Sequence, residues 1–461
     1  MPLEQRAGRL TKRKRETMTV HSDRESGTTK LDRVRICATE RPETVFDNLA
    51  HVLTIDLLHE GFYSLSGNKA IGCDNVTKEM FRQNLNVNIY NLHKSIQSGK
   101  YRPKPARLVQ IPKEDGSTRP LAISCFEDKI VQWAVSKILE AVYEPLFLPC
   151  SYGFRSEHNC HEALRALARS AYNNKQGALI EIDIRKCFNR IPHDHMQSFL
   201  QRKIKDKRLL RLIWKLMTIS ISEDGIAQVS TIGCPQGSIV SPILCNIYLH
   251  YVIDEWFHEI SKTHLKGKTE LIRYADDMVF IFENGDDAQR VYRVLNKRLN
   301  KFGLEMHEAK SALLPFGSRT ALQNAEENQK MPTFMFLGFT CYWGRALKGF
   351  WRLKFTSRRD RFTATLKRLR KHLRENINTK DEKYLLQSII RRMKGWINYH
   401  AVSDNERRVS SFIENVKLIL LKWFNRRSQR KPMTWEKLTK RLGALKFPHT
   451  FKVTPMFASG S

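Results

Sequence analysis

Leu271-Ile272-Arg273-Tyr274-Ala275-Asp276-Asp277-Met278-Val279-Phe280-Ile281-Phe282 consists of two apolar runs interrupted by two adjacent carboxylates. Runs of this length and composition form strands, and so short a break between them forces a hairpin with the acids at its tip, where Asp tolerates the backbone angles of a tight turn. Adjacent like charges repel, and a divalent cation is the usual remedy. The stretch therefore predicts an antiparallel sheet with an acidic edge. A lone Asp-Asp pair is also common in surface turns, so the rest of the chain has to decide its meaning.

The nearest support lies upstream, in Ala178-Leu179-Ile180-Glu181-Ile182-Asp183-Ile184. Period-two alternation puts Ile180, Ile182 and Ile184 on one face of a strand and Glu181 with Asp183 on the other. With Asp276 and Asp277, Asp183 completes a hard-oxygen set suited to Mg²⁺, which prefers carboxylates, water and phosphate oxygens. Two such ions about 4 Å apart clamp an in-line phosphoryl transfer, one activating an attacking hydroxyl and the other holding the leaving pyrophosphate. Mn²⁺ is the expected substitute.

Charge points to the substrate. Lys and Arg number 79 against 47 Asp and Glu, a formal +32 that exceeds what a generic enzyme carries and matches chains that neutralise phosphates. Nine cysteines are scattered without a C-x-x-C pair, so neither a zinc knuckle nor a disulfide framework is expected, and the compartment reads as reducing. No apolar run approaches the ~20 residues of a membrane span and no hydrophobic signal core opens the chain, which reads as intracellular, in a bacterial cytoplasm or an organelle.

Along the chain, residues 1–40 are polar and basic, with Arg9, Lys12, Arg13, Lys14 and Arg15 clustered, and are expected to form a disordered arm. Thr44 to Glu60 reads as a helix and Gly67 to Asp74 as a loop. Arg107–Ile111 and Pro120–Ile123 read as strands around an Asp-Gly turn, followed by a helix from Ile130 to Tyr143. Beyond about Trp351 long basic helices take over. Phe362, Leu366, Leu369 and Leu373 share one helical face, and Arg359, Arg361, Lys367, Arg368, Arg370, Lys371 and Arg374 occupy the remainder. So many charges of one sign argue for a polyanion beside them.

Tyr274-Ala275-Asp276-Asp277 resembles the Y-x-D-D box of reverse transcriptases, and the segment from Gly233-Cys234-Pro235-Gln236-Gly237-Ser238 to Asn246-Ile247-Tyr248-Leu249 resembles the P-Q-G box of group II intron enzymes. Ile111-Pro112-Lys113 through Arg119-Pro120-Leu121 and Ser151-Tyr152-Gly153-Phe154-Arg155 are similar to the fingers motifs of the same family. Leu304 to Lys310 and Phe336-Leu337-Gly338-Phe339 resemble its later palm boxes, and Arg392 to His400 with Leu421 to Arg427 resemble its maturase domain. Boxes in family order are far more specific than any single one.

The resemblance implies an α/β (α+β) right-hand polymerase: fingers and palm over residues 41–340, built on an antiparallel palm sheet, then a helical thumb and maturase domain over 341–461. Asp183, Asp276 and Asp277 fall on the catalytic, metal-binding positions, with the Ile184 carbonyl as a further metal ligand. Lys113 and Arg119 fall where the family grips the incoming triphosphate, Gln236 on the nucleotide pocket, and Lys310 with the same nucleotide-binding set. Phe188 falls on the steric gate that excludes a 2′-hydroxyl; a core aromatic on the following helix is the other reading. Arg359, Lys367, Arg370, Lys371, Trp396, Arg426 and Arg427 are the expected RNA contacts, and Trp396, Tyr399 and Trp423 are candidates for base stacking or for helix-core packing.

Implied partners are an RNA template such as a group II intron RNA, a DNA primer or target, and deoxynucleoside triphosphates, with oligomeric state open and a dimer one alternative. Asn75, Ser238 and Cys234 depart from the usual family residues without removing a catalytic atom. The absence of a terminal Cys/His cluster implies that the HNH endonuclease of some relatives is missing, so that priming uses an existing nick or fork end. Three readings remain beside intron retrohoming: a splicing cofactor without polymerisation, a polymerase in host repair or defence, and an RNA-dependent RNA polymerase.

Overall fold

A computed structural model describes residues 29–112, 118–223, 226–229, 232–427 and 432–457. Among the described residues eleven strands run in chain order: β1 Ala106–Pro112, β2 Thr118–Ile123, β3 Ala178–Asp183, β4 Ser220–Glu223, β5 Ile226–Val229, β6 Thr269–Tyr274, β7 Asp277–Phe282, β8 Ala312–Pro315, β9 Phe334–Phe336, β10 Phe339–Arg345 and β11 Trp351–Ser357. They form three sheets with strand orders β2-β1-β4-β5, β6-β7-β3-β8 and β11-β10-β9, and helices fill the space between and after them. No helix among the described residues is long and apolar enough to cross a membrane.

The central sheet follows the alternation of its sequence. In β3 and β7, Ile180, Ile182, Met278, Phe280 and Phe282 face a large core shared with the helices Phe126–Tyr143 and Ser241–Leu249. Leu179, Val279 and Ile281 face the opposite way, into a second core made with β9 to β11 and the helix Cys160–Asn173. Fully burying each such side chain stabilises the fold by roughly 1.5–3 kcal/mol, so a slip by one residue, which exchanges the two faces, is strongly disfavoured. The face that the acids take at the end of β3 is thereby fixed.

Expected strands and helices are found with changed ends. β1 and β2 pair antiparallel from Arg107↔Ile123 to Pro112↔Thr118, flanking the predicted turn, which lies outside the described residues. The helix expected from Ile130 begins at Phe126, where Glu127 and Asp128 occupy the first turn and suit the positive end of the helix dipole. The helix expected over Thr44–Glu60 is replaced by a short 3-10 turn, Ala50–Val52, and a helix that starts only at Ile55, capped by the Thr54 hydroxyl. The cause is distant: the Asp206 carboxylate accepts the amides of Leu49 and Ala50, both at 2.7 Å, and holds them out of a continuous helix.

Two expected boundaries also move. Residues 1–28 of the predicted arm, including the cluster Arg9–Arg15, lie outside the described residues, but Lys30–Glu40 is a helix. Thr29 and Asp32 form a capping box, and Val34 and Ala38 are buried as the helix packs on Phe126–Tyr143. The expected division at 340/341 falls inside β10, whose Cys341 is fully buried in the second core. The third core begins only at Phe362, where Phe362, Leu366, Leu369 and Leu373 turn one face of the helix Arg359–Glu375 toward the helices Glu382–His400, Glu406–Arg427 and Trp435–Ala444.

Candidate active site

Asp183 closes β3 and Asp277 opens β7, and the two are direct partners across the antiparallel ladder. Facing residues of such a pair project from the same side of the sheet with Cα atoms about 4.5–5.5 Å apart. Tyr274 pairs with Asp277 across β6 and β7, so Ala275 and Asp276 alone make the turn. Sequence reasoning assigned the unusual backbone angle to an aspartate; Ala275 carries it instead, at φ +57°. A two-residue hairpin with positive φ only at its first turn position matches the twist of the strands and is ordinarily filled by Gly, so an Ala there stores strain that its surroundings must hold.

The continuation of β3 supplies a fourth oxygen. The Asp183 carbonyl accepts the His307 amide at 2.8 Å and the Arg185 amide donates to Glu305 at 2.9 Å, both on the side of the Ile184–Met306 bridge. Carbonyls of successive strand residues point to opposite edges, so the Ile184 carbonyl turns toward β7 and its acidic tip.

Electrostatics mark these acids as unbalanced. Burial pushes Asp277 up to about 7 against the stabilising Leu337 N–H bond, and the Asp276 charge adds to the shift. Asp276 is raised by burial and by Asp183. Glu181, on the same face, is raised to about 7, again chiefly by burial, and accepts the Met335 amide at 3.2 Å. Lys310 stands 3.6 Å from Asp183, and Arg119 and Arg361 exert weaker attraction on Asp276 and Asp277. Among the described residues no three acidic, His or Cys side chains form a closed metal cage. The donor set fits an open Mg²⁺ site all the same: carboxylates and a carbonyl, crowded and incompletely neutralised, with remaining positions for water and phosphate oxygens.

Around them the expected nucleotide-binding residues separate. Phe188 sits half-buried on the short helix Cys187–Arg190, against the large core. Its carbonyl accepts the Cys234 amide at 2.7 Å, while the Gln236 carbonyl accepts Ala122 N–H at 2.7 Å. These bonds tie the P-Q-G loop to β2 and to the helix of Phe188, and Pro120, Ala122, Asn189, Cys234 and Gln236 line a shared cleft. Arg119 is exposed on β2 opposite Ile111. Lys113 lies outside the described residues.

The expected RNA contacts divide more sharply. Arg359, Lys367, Arg370 and Lys371 are exposed along one helix, with Lys371 3.8 Å from Glu375, and Arg426 is exposed farther on. Trp396 is spent inside the fold: it stacks on Phe412 with ring centroids 3.9 Å apart and planes 23° apart. Trp423 donates its indole N–H to the Leu373 carbonyl, and Tyr399 its hydroxyl to the Leu337 carbonyl, each at 2.7 Å. Core packing, the commoner use of such rings, is what they do. Arg427 is likewise engaged, pairing with Glu382 at 3.0 Å and lying 4.7 Å over the Trp423 ring.

Sequence reasoning missed the role of β9 at this site. Amides on either side of Phe336 bind the acids of the central sheet, Met335 to Glu181 and Leu337 to Asp277. It also read Arg361 only as part of a basic stripe, whereas the guanidinium lies against Gly338, where a Cβ would meet it at 2.6 Å.

An acid pair at a hairpin tip, faced by a third acid across an antiparallel sheet, is the arrangement of a nucleic-acid polymerase palm. A family model described as "Reverse transcriptase (RNA-dependent DNA polymerase)" matches residues 111–341, about half of the chain, and the chain belongs to that family. It is similar to the group II intron-encoded protein LtrA of Lactococcus lactis subsp. cremoris, 30% identical over 305 residues that make up 66% of this chain and 47% of LtrA. An uncharacterized 91 kDa protein in the cob intron of Schizosaccharomyces pombe is 42% identical over 38% of this chain and 21% of its own. Protein YkfC of Escherichia coli is 35% identical over 46% of this chain and 55% of its own. The chain thus spans about half, or less, of these relatives.

Proposed function

We propose that this chain is an RNA-directed DNA polymerase of the group II intron type, adding deoxynucleotides to a DNA primer 3′-hydroxyl on an RNA template. The observation that carries the reading is the pairing of Asp183 with Asp277 beside Asp276. Asp183, Asp276, Asp277 and the Ile184 carbonyl would hold two Mg²⁺ ions, which when bound lower the pKa of the attacking hydroxyl and neutralise charge on the leaving pyrophosphate. The residues around them orient the reactants. Lys310 and Arg119 offer positive charge to the triphosphate, where it counts most as charge develops on the phosphoryl oxygens. Lys113 is assigned the same role from its motif. Gln236 borders the cleft that would receive the nucleotide, and the Phe188 ring, packed beneath the sugar, would exclude a 2′-hydroxyl.

Intron RNA is the proposed further partner. Supporting it are the exposed Arg359, Lys367, Arg370, Lys371 and Arg426, and the likeness to an intron-encoded protein. Under this reading the fingers and palm comprise the first two sheets, and the thumb the C-terminal helices that would also assist splicing.

The test is primer extension on RNA with Mg²⁺, comparing the native chain with Asp276→Ala. Extension with dNTPs that disappears in the variant supports the proposal. No extension by the native chain, with RNA binding retained, favours a splicing cofactor, and equal use of ribonucleotides an RNA polymerase.

A further inference from the structure

One charged side chain next to the acidic turn plays no part in the chemistry above and is wholly buried. Arg273, the residue before Tyr274, has no solvent exposure. A guanidinium carries five N–H donors, and every one is used. Nε donates to Asp254 Oδ1 at 2.7 Å and Nη2 to Asp254 Oδ2 at 2.5 Å and Ser151 Oγ at 2.8 Å. Nη1 donates to Asn246 Oδ1 at 3.1 Å and to the Ala275 carbonyl at 3.2 Å. The last bond ends on the strained residue of the turn, whose carbonyl belongs to the peptide leading into Asp276.

The partners of Arg273 are themselves fixed. Asp254 is 1% exposed and closes a π-helical turn, His250–Asp254, that interrupts the helical run between Ser241–Leu249 and Glu255–Thr263. Such turns shift the register of the helix beyond them and recur at functional sites. Asn246, fully buried one helical stretch earlier, donates its amide to the Gly153 carbonyl at 2.6 Å. Gly153 in turn lies so close to the turn that a Cβ there would collide with the Ala275 amide nitrogen. The Arg273 backbone is held on both sides, donating to the Cys150 carbonyl and accepting from the Tyr152 amide, each at 2.8 Å. The turn is therefore gripped from below by one side chain and from the side by one loop.

Stability alone is a poor explanation for this arrangement. Taking two charges out of water costs about as much as their attraction returns, and a well-packed apolar pair often serves as well or better. An apolar pair cannot, however, hold the Ala275 carbonyl at a set height. We propose that Arg273, anchored by Asp254 and Asn246, is a positioning residue that fixes the Ala275–Asp276 turn where its acids can bind metal. The proposal rests on the polymerase reading above.

The experiment is single-turnover primer extension on RNA with Arg273→Lys, which retains the charge but not the fork, and with the double variant Arg273→Met/Asp254→Leu, which replaces the pair by apolar groups. Displacing reacting groups by about 1 Å costs on the order of 100-fold in rate. We expect the rate constant to fall between ten- and a hundredfold, the amplitude and primer–template affinity to stay as in the native chain, and the Mg²⁺ concentration for half-maximal rate to rise severalfold. A purely structural role predicts the reverse: reduced amplitude, with the remaining molecules showing native rate and native Mg²⁺ dependence. That result, native rates throughout, or loss of folded protein in both variants overturns the proposal. If the native chain itself does not extend, the polymerase reading has failed instead. Mn²⁺ titration of native and variant proteins then judges the positioning role by itself, with unchanged affinity as the refuting result.

Discussion

Replacing Asp277 by Asn should stabilise the metal-free protein while abolishing extension. Burial holds the Asp277 carboxyl at about 7 instead of the ordinary 3.8, so the folded state binds its proton more tightly than the unfolded state does. The contribution of Asp277 to stability must then fall as pH rises from about 4 to about 7 and level off above, where the folded chain keeps an ionised acid in a poorly solvated place. At 1.36 kcal/mol per pKa unit the ceiling is roughly 4 kcal/mol. Residual exposure screens the charge, so roughly 1–2 kcal/mol is the expected gain. Asn matches Asp in size and keeps an acceptor for the Leu337 N–H, so neither a cavity nor an orphaned donor offsets the gain. Thermal melting with a chelator at pH 5 and pH 8 reads the effect: the variant should melt above the native protein at pH 8, with much of the difference gone at pH 5. Mg²⁺ should raise the native midpoint and leave the variant unmoved. A variant less stable than native at pH 8, or one that still extends primers, would refute the reasoning.

Phe188→Val should raise ribonucleotide over deoxynucleotide incorporation by roughly tenfold, about 1.4 kcal/mol of lost discrimination; an unchanged ratio assigns the ring to the core alone. Trp396→Ala should cost roughly 2–3 kcal/mol of stability through loss of its stacking on Phe412, less than the 3–5 of a fully buried aromatic because the ring is only partly buried; a loss of RNA affinity with unchanged melting would restore it to the interface. His400, buried beside Arg361, is held at about 4 instead of 6.5. The unfolded chain therefore takes up this proton first, and the contribution of His400 to stability should decline as pH falls from about 6.5 toward 4, so that the native curve drops more over that range than the variant's. Native and His400→Gln melting curves across that range check this, with equal slopes as the contrary result.

What the sequence disclosed was what local geometry dictates. Period-two alternation around Asp183 and a two-residue break before Asp277 put Ile180, Ile182, Met278 and Phe280 on one face and the acids Asp183 and Asp277 on the other, as the structure has them. Spacings of three and four likewise fixed the buried face of Phe362, Leu366, Leu369 and Leu373. Most of the misreadings trace to contacts between residues far apart in the chain. Asp206 ends the expected helix before Ile55 from more than 150 positions away, and a helix from Lys30 was obscured by the basic residues around it. Trp396 reads as an RNA contact that could stack on a base, although core packing is the commoner use of such a ring, until Phe412 is seen against it. Arg273 reads as an ordinary polar position on a strand, because nothing local announces that Asp254 and Asn246 enclose it.

Counting and locating bound Mn²⁺ by magnetic resonance, in the ternary complex with an RNA template, a chain-terminated DNA primer and the next dNTP, tests the central claim most directly. The account predicts two ions about 4 Å apart, with binding lost in both Asp183→Asn and Asp276→Asn. Ions that persist in both variants, or a complex that forms without any, would contradict it.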